Sequence, residues 1–266
     1  MVWFINMSTD IDRKADDLMR TDVLGVGFDS VTMDEALARG LAMLETPSCD
    51  YIVTPNPEIV MICGEDPEAA EAVASASLVL PDGIGVIYGA RLLGRPLAAK
   101  VPGADFALGM FGKMAGTGKS VYLLGAKPGV AEKAGERLAE QFPGLVIAGT
   151  ADGYFKEDGP VIAQINAAAP DMLLVCLGAP KQEKWMYANR DKLNVRLMAG
   201  LGGSLDVYAG VVERAPEKWR KLNLEWLYRL IKEPRRIGRM MKLPEFMICV
   251  IGQRTQELFA GLRKDR

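Results

Sequence analysis

Short apolar runs alternate along this chain with longer amphipathic stretches. Val23–Phe28, Tyr51–Thr54, Ser77–Leu80, Ser120–Leu124, Leu145–Gly149, Met172–Leu177 and Arg196–Ala199 read as strands. Helices are expected between them. One opens at the capping box Thr32-Met33-Asp34-Glu35 and runs to about Leu44. Another follows the break Pro55-Asn56-Pro57-Glu58, and further ones cover Glu68–Ser75, Gly83–Leu93, Ala104–Ala115, Val130–Gln141, Val161–Ala168 and Gln182–Asn189. Strand and helix alternate at the spacing of βαβ units, which predicts an α/β fold: a Rossmann-like, doubly wound, mostly parallel sheet covered by helices. Residues 1–20 read as a loose polar leader and 21–212 as the catalytic domain. Residues 213–266 form a basic helical C-terminal appendage.

Charge separates the appendage from the body. From Arg214 to Lys242 there are ten basic residues against Glu217, Glu225 and Glu233, a balance of +7; the chain's net charge of -2 leaves -9 for the rest. Such a segment is built to meet phosphates, an anionic membrane or nucleic acid. The body is acidic and no nucleic-acid-binding motif is present, so no nucleic-acid partner is expected. The four cysteines lie far apart with no C-x-x-C pair and no histidine to complete a zinc site, which reads as buried free thiols in a reducing compartment. No apolar run approaches the roughly 18 residues of a membrane span. A cytoplasmic protein is expected, one that can still attach to the inner membrane surface. The apolar tail Phe246–Ile251 either dips into a bilayer or packs on protein. Association into a homo-oligomer is left open.

The chain has no histidine, so proton transfer near neutral pH falls to a carboxylate, Lys, Tyr or Cys. Asp82 is the first candidate. It follows the apolar run Leu78-Val79-Leu80-Pro81 and precedes Gly83, at a strand's carboxyl end, where open α/β sheets collect ligands. Thr54 and Asn56 end another strand, although Asn56 before Pro57 is also the pattern of a helix N-cap. Gly178-Ala179-Pro180-Lys181-Gln182-Glu183 puts Lys181 and Gln182 at a helix start suited to a diphosphate or sugar hydroxyls. The loop from Gly200 to Asp206 is glycine-rich, and Asp206 suits a ribose or base. The turn from Gly125 to Gly129 is either a phosphate site or an ordinary βα connection. Arg229, Lys232, Arg236 and Arg239 share one helical face by spacing. Three motifs are set aside. Gly118-Lys119-Ser120 has Lys113 where a P-loop has its first glycine; Asp10-Ile11-Asp12 lies in the leader; and no G-x-G-x-x-G supports a dinucleotide redox enzyme.

Ordered matches carry a family resemblance. Thr54-x-Asn56-x-Glu58, Pro81-Asp82-Gly83, Tyr122-Leu123-Leu124-Gly125, Phe142-Pro143-Gly144, Gly153-Tyr154-Phe155 and Gly178-x-Pro180-Lys181-Gln182-Glu183 come first. Arg214-Ala215-Pro216, Leu224 to Leu230 and Glu233-Pro234-x-Arg236 follow. From about Asp22 to Lys242 the chain resembles the WecG/TagA/CpsF glycosyltransferases. The resemblance implies inverting transfer of an N-acetylmannosamine-type sugar from a UDP donor to a polyprenyl-diphosphate-linked sugar, in cell-envelope or exopolysaccharide biosynthesis at a membrane surface. It implies Asp82 as base, Thr54 and Asn56 lining the site, and Gln182 touching substrate. Gly125, Gly153, Tyr154, Gly178, Lys181, Glu183 and Asp206 go to the UDP-sugar site, and Arg229, Arg236 and Arg239 are delivered by the appendage. No cofactor or metal is expected, because arginines suit the charge that develops on UDP. Rival readings are a same-fold UDP-hexose or UDP-hexuronic acid transferase, a nucleotide-sugar oxidoreductase, and a non-catalytic phosphate-binding scaffold.

Overall fold

The computed structural model describes residues 20–232, 234, 238 and 241–264, with backbone alone for 229 and 261–264. All but the last residue of the expected leader lie outside that set. The chain enters on a hairpin, β1 (Thr21–Val23) and β2 (Val26–Phe28), where one strand was expected. Leu24 and Gly25 both take positive φ, 54° and 84°, the backbone that lets a two-residue turn follow the twist of its strands. Helix α1 (Met33–Met43) starts at Thr32 with both halves of the capping box formed. There follow β3 (Asp50–Val53), α2 (Pro57–Glu65), α3 (Pro67–Ala74), β4 (Leu78–Val79), α4 (Ile84–Leu92) and α5 (Gly103–Met114). The second half supplies β5 (Ser120–Gly125), α6 (Val130–Gln141), β6 (Val146–Ala151), α7 (Asp158–Ala168), β7 (Met172–Cys176), α8 (Lys181–Asn189), β8 (Leu197–Gly200) and α9 (Ser204–Tyr208).

Six strands pair in the order β4-β3-β8-β7-β5-β6, every pairing parallel. Alternate residues feed two cores. Tyr51, Val53, Tyr122, Leu124, Leu173 and Val175 pack under α2, α3, α4, α7 and α8. Ile52, Val121, Leu123, Met172, Leu174 and Leu197 pack under α1, α5, α6 and α9. A parallel sheet covered on both faces needs such continuous apolar strands. The Rossmann likeness lies in the layers and strand direction, not in strand order, since the two outer strands on each side are joined in pairs. Helix α6 carries the chain from β5 outward to β6, while α8 carries it from β7 the other way to β8. Their diverging exits open a crevice at the carboxyl ends of β5 and β7. At the far edge, two-residue β4 is sealed by Asp29, whose amide donates to Val79 O (3.0 Å) and whose carboxylate accepts from Val79 N (2.8 Å).

Beyond α9 come α10 (Glu217–Lys221), α11 (Glu225–Lys232) and α12 (Lys242–Lys264). Helix α12 returns to the body, so of the two alternatives for the apolar tail, packing on protein holds for Phe246 and Val250. Phe246 and Val250 are fully buried against α4. Its Gly89 has no room for a side chain: a Cβ there would lie 2.9 Å from Phe246 Cζ. Lys242 pairs with Glu65 (2.8 Å), and Arg95 with Glu257. Ile248, Ile251, Leu258 and Phe259 remain exposed on its outer face. Cys63 and Cys176 are buried as expected of thiols, whereas Cys49 is half-buried and Cys249 exposed. Cys249 points away from the α4 contact that buries its neighbours Phe246 and Val250.

Candidate active site

Parallel hydrogen bonding outlasts the strands and brings two loops side by side. Leu80 N donates to Val53 O (2.9 Å) and Asp82 N to Pro55 O (3.2 Å), so Asp82 arrives beside Asn56. Gly83, at φ 93°, turns the chain there into α4. Asp82 Oδ2 accepts a long hydrogen bond from Gly103 N, 3.4 Å, the first amide of α5. Thr54 is buried and donates from Oγ1 to Gly200 O (3.2 Å). Asn56 Oδ1 accepts from Ile59 N (3.1 Å), which makes it the N-cap of α2 as well as a neighbour of Asp82. Gly103 is the member of this cluster that sequence reading missed. Its signal was the Pro102-Gly103 pair before a helix; a Cβ at Gly103 would lie 3.0 Å from Thr54 Oγ1 and 2.6 Å from Leu201 Cδ2.

Next to this cluster lies a cavity of about 660 Å³, formed by the loops after β5, β6, β7 and β8. Lys127, Gly153, Tyr154, Gly178, Lys181 and Asp206 are among its lining. Gly125 stands just outside and sets the geometry. At φ 133° its missing Cβ would lie 2.3 Å from Cys176 O, so only glycine lets the ends of β5 and β7 close, with Ala126 N donating to Cys176 O (3.2 Å). Gly153 N donates to Ala126 O (2.9 Å). Lys181, first residue of α8, donates to Gly153 O (3.3 Å) with its ammonium 5.1 Å from the Phe155 ring centre. Tyr154 stands exposed at the mouth.

Gln182 and Glu183 are placed otherwise than expected of ligand-contacting groups: they are 2% and 1% exposed, behind the cavity wall. Gln182 Oε1 accepts from Gly202 N (2.8 Å), and its Nε2 donates to Glu183 Oε1 (2.9 Å). They brace the loop after β8. That loop is a shared wall, tied through Gly200 to Thr54 on one side and through Gly202 to Gln182 on the other. Arg229 is carried by α11 with its side chain undescribed, and Arg236 and Arg239 lie outside the described residues.

Residues 21–259 match the Glycosyl transferase WecG/TagA/CpsF family. The chain belongs to that family. The match runs past Lys242, where the motif pattern had ended, into α12. An N-acetylglucosaminyldiphosphoundecaprenol N-acetyl-beta-D-mannosaminyltransferase of Bacillus spizizenii is 38% identical over 224 residues, 82% of this chain and 87% of that protein. The protein of the same name from Staphylococcus aureus is 36% identical over 231 residues, 86% and 91% of the two chains. That of Bacillus subtilis is 38% identical over 200 residues, 75% and 78%.

In this WecG/TagA/CpsF chain the buried groups are tuned by desolvation. Burial raises the Glu183 carboxyl, and the Gln182 amide only partly opposes it. Glu183 Oε2 has no hydrogen-bond partner among the described residues. The nearby lysine Lys184 is committed to Asp66 (2.6 Å) and Glu68 (3.0 Å). An ionised oxygen left unpaired there is costly, and that desolvation is the main cause of the upward shift. Burial likewise pushes the Cys176 thiol up to about 12, which makes it a wall atom of the cavity and not a nucleophile. Because the folded pKa of Glu183 lies above its unfolded value, its contribution to stability is complete below the unfolded pKa. That contribution is lost as pH rises through the folded one. Glu183→Gln is therefore expected to raise Tm more at pH 8 than at pH 5, read by thermal unfolding. An equal shift at both would show that the carboxyl does not titrate with folding.

Proposed function

We propose that this transferase moves an N-acetylmannosamine-type sugar, with inversion, from a UDP donor to a polyprenyl-diphosphate-linked sugar in envelope or exopolysaccharide biosynthesis. The observation that carries this reading is one crevice in two parts. A carboxylate cluster, Asp82 with Thr54 and Asn56, shares the Gly200–Gly202 wall with a cavity suited to a nucleoside diphosphate. The chain that builds it is 36% to 38% identical to mannosaminyltransferases. Inversion requires a base on one face of the sugar and the leaving group on the other, and the two parts of the crevice supply them from different loops.

In this reading Asp82 takes the proton of the acceptor hydroxyl as its oxygen bonds to the donor's anomeric carbon. The bond from that carbon to UDP breaks, and the electron pair leaves on the diphosphate. Asp82 suits the task because it stands at a strand's carboxyl end beside Asn56, with the first amide of α5 donating to it. Lys127, Lys181 and the amides opening α6 face the region where diphosphate charge grows. Asp206 accepts from the ribose or base, and the exposed Tyr154 ring offers a flat surface at the mouth. Gln182 acts through Gly202, holding the shared wall. The appendage arginines Arg229, Arg236 and Arg239 complete the neutralisation by bidentate contacts, without a metal.

The enzyme meets its lipid-linked acceptor at the inner membrane surface. Among the described residues no helix is long and apolar enough to cross a membrane. The exposed Ile248, Ile251, Leu258 and Phe259 of α12, beside the basic run before it, suit peripheral contact with an anionic bilayer.

UDP release from UDP-N-acetylmannosamine with a lipid-linked acceptor measures the activity, and a panel of other UDP-sugars tests the donor. Asp82→Asn is expected to lower kcat by about 10²- to 10⁴-fold while UDP-sugar affinity survives; near-normal turnover would remove Asp82 from the role of base. Turnover should persist in EDTA, and its strict loss with restoration by manganese would overturn the metal-free mechanism. Replacing Ile248, Ile251 and Phe259 together by serine should reduce flotation with anionic liposomes; unchanged flotation would clear α12 of membrane contact.

A further inference from the structure

The six residues 100–105 touch the candidate base on one side and the appendage on the other. On the inner side, Val101 is fully buried and donates to Pro81 O (2.9 Å). Gly103 donates to Asp82 Oδ2 (3.4 Å) and is wedged between Thr54 and Leu201. Ala104 O accepts from Tyr208 OH (2.8 Å). The segment cannot slide without moving the neighbours of Asp82. On the outer side, Lys100 Nζ donates to Asn223 Oδ1 (2.7 Å), and Asp105 pairs with Arg214 (2.7 Å). Arg214 stands just before α10, and Asn223 just after it, in the turn to α11 at φ 58°. The two ends of this short segment therefore clamp the two ends of α10.

We propose that residues 100–105 form a strap that couples docking of α10 and α11 to the setting of Asp82, with Lys100 and Asp105 as its positioning residues. The inference rests on the reading of Asp82 as base. On the inner side Val101 and Gly103 are buried residues, whereas the outer ion pair is part-exposed: Arg214 is 20% and Asp105 37% accessible. Contacts of the second kind are individually weak, so the clamp opens more readily than the strap leaves the sheet. When it opens, α10 and α11 release the end of α5 whose first amide meets Asp82. Docking thus sets the base in the same movement that carries the Arg229 helix to the body. Asn223 is the informative position. It lies outside the crevice, and its left-handed backbone accepts glycine without strain.

The test compares Asn223→Gly, Lys100→Met, Lys100→Arg and the double variant Lys100→Met/Asn223→Gly. Readouts are kcat for UDP release, UDP-sugar affinity, and trypsin cleavage within residues 213–232. Asn223→Gly and Lys100→Met are each expected to lower kcat about five-fold, the effect of one modest contact. UDP-sugar affinity should stay within about two-fold and cleavage should quicken. The double variant should be no worse than the poorer single, and Lys100→Arg should recover most of kcat. Wild-type kcat in Asn223→Gly overturns the strap, as do losses that multiply in the double variant. Should Lys100→Met fail to fold, Asn223→Gly carries the test alone. If the wild-type chain releases no UDP, the transferase reading fails by itself. The clamp is then judged on cleavage, and unchanged cutting of Asn223→Gly overturns it too.

Discussion

The carboxyl edge of the sheet depends on how closely neighbouring backbones can approach, and three glycines set that distance. Gly125 lets the end of β5 lie against Cys176, Gly200 leaves room for Met186 and Gln182 behind β8, and Gly103 brings α5 onto Thr54 and Leu201. A side chain at any of the three would meet heavy atoms at 2.6 Å or less, inside any normal contact. The approach turns strand ends into a site. It puts Ala126 N on Cys176 O, Gly103 N on Asp82, and Thr54 on Gly200 O. These contacts join loops that are remote in sequence, so the crevice is held by backbone groups before any ligand enters.

Around that frame the polar groups divide by their access to water. Asp82, Lys181 and Asp206 remain within reach of solvent at the crevice. Gln182 and Glu183 sit behind the wall, shut off from solvent, and no ion pair reaches Glu183 among the described residues. There an amide and a carboxyl whose pKa is raised by burial serve as rigid spacers. The same sequence motif therefore contributes one residue to the cavity and two to its support. The distinction follows from helical geometry: successive residues at the start of α8 point in directions about 100° apart.

Much of this was legible. Glycine and proline mark the turns after β4, β5 and β7, and the loops they mark are those that build the crevice. Asp82 stood out because no histidine competes with it and an apolar run delivers it to a strand end. The capping signals of Thr32 and Asn56 correspond to formed hydrogen bonds. The β1–β2 hairpin was missed because Leu24 gives no turn signal; its positive φ is a cost that packing of Val23 and Val26 on the sheet offsets. The seating of α12 stayed open because its buried stripe, Phe246 and Val250, looks the same whether its partner is a lipid or Gly89 of α4. Lys100 and Asp105 gave no signal at all. Their partners lie more than a hundred residues away, and a lone lysine and aspartate have no periodicity.

By itself the sequence determined the layers. Runs of four to six apolar residues can be satisfied only by strands buried on both faces, and the intervening helical periods supply the covers. It also marked the loops that line the crevice, because backbone conformations open only to glycine and proline are written in residue type. Tertiary structure alone decided which side of those loops faces solvent, and which of two neighbouring residues lines the cavity and which braces its wall. It also decided that the segment from Lys100 to Asp105 touches Asp82 on one side and the two ends of α10 on the other. Those outcomes depend on distances between residues far apart in the chain, and local pattern holds no record of such distances.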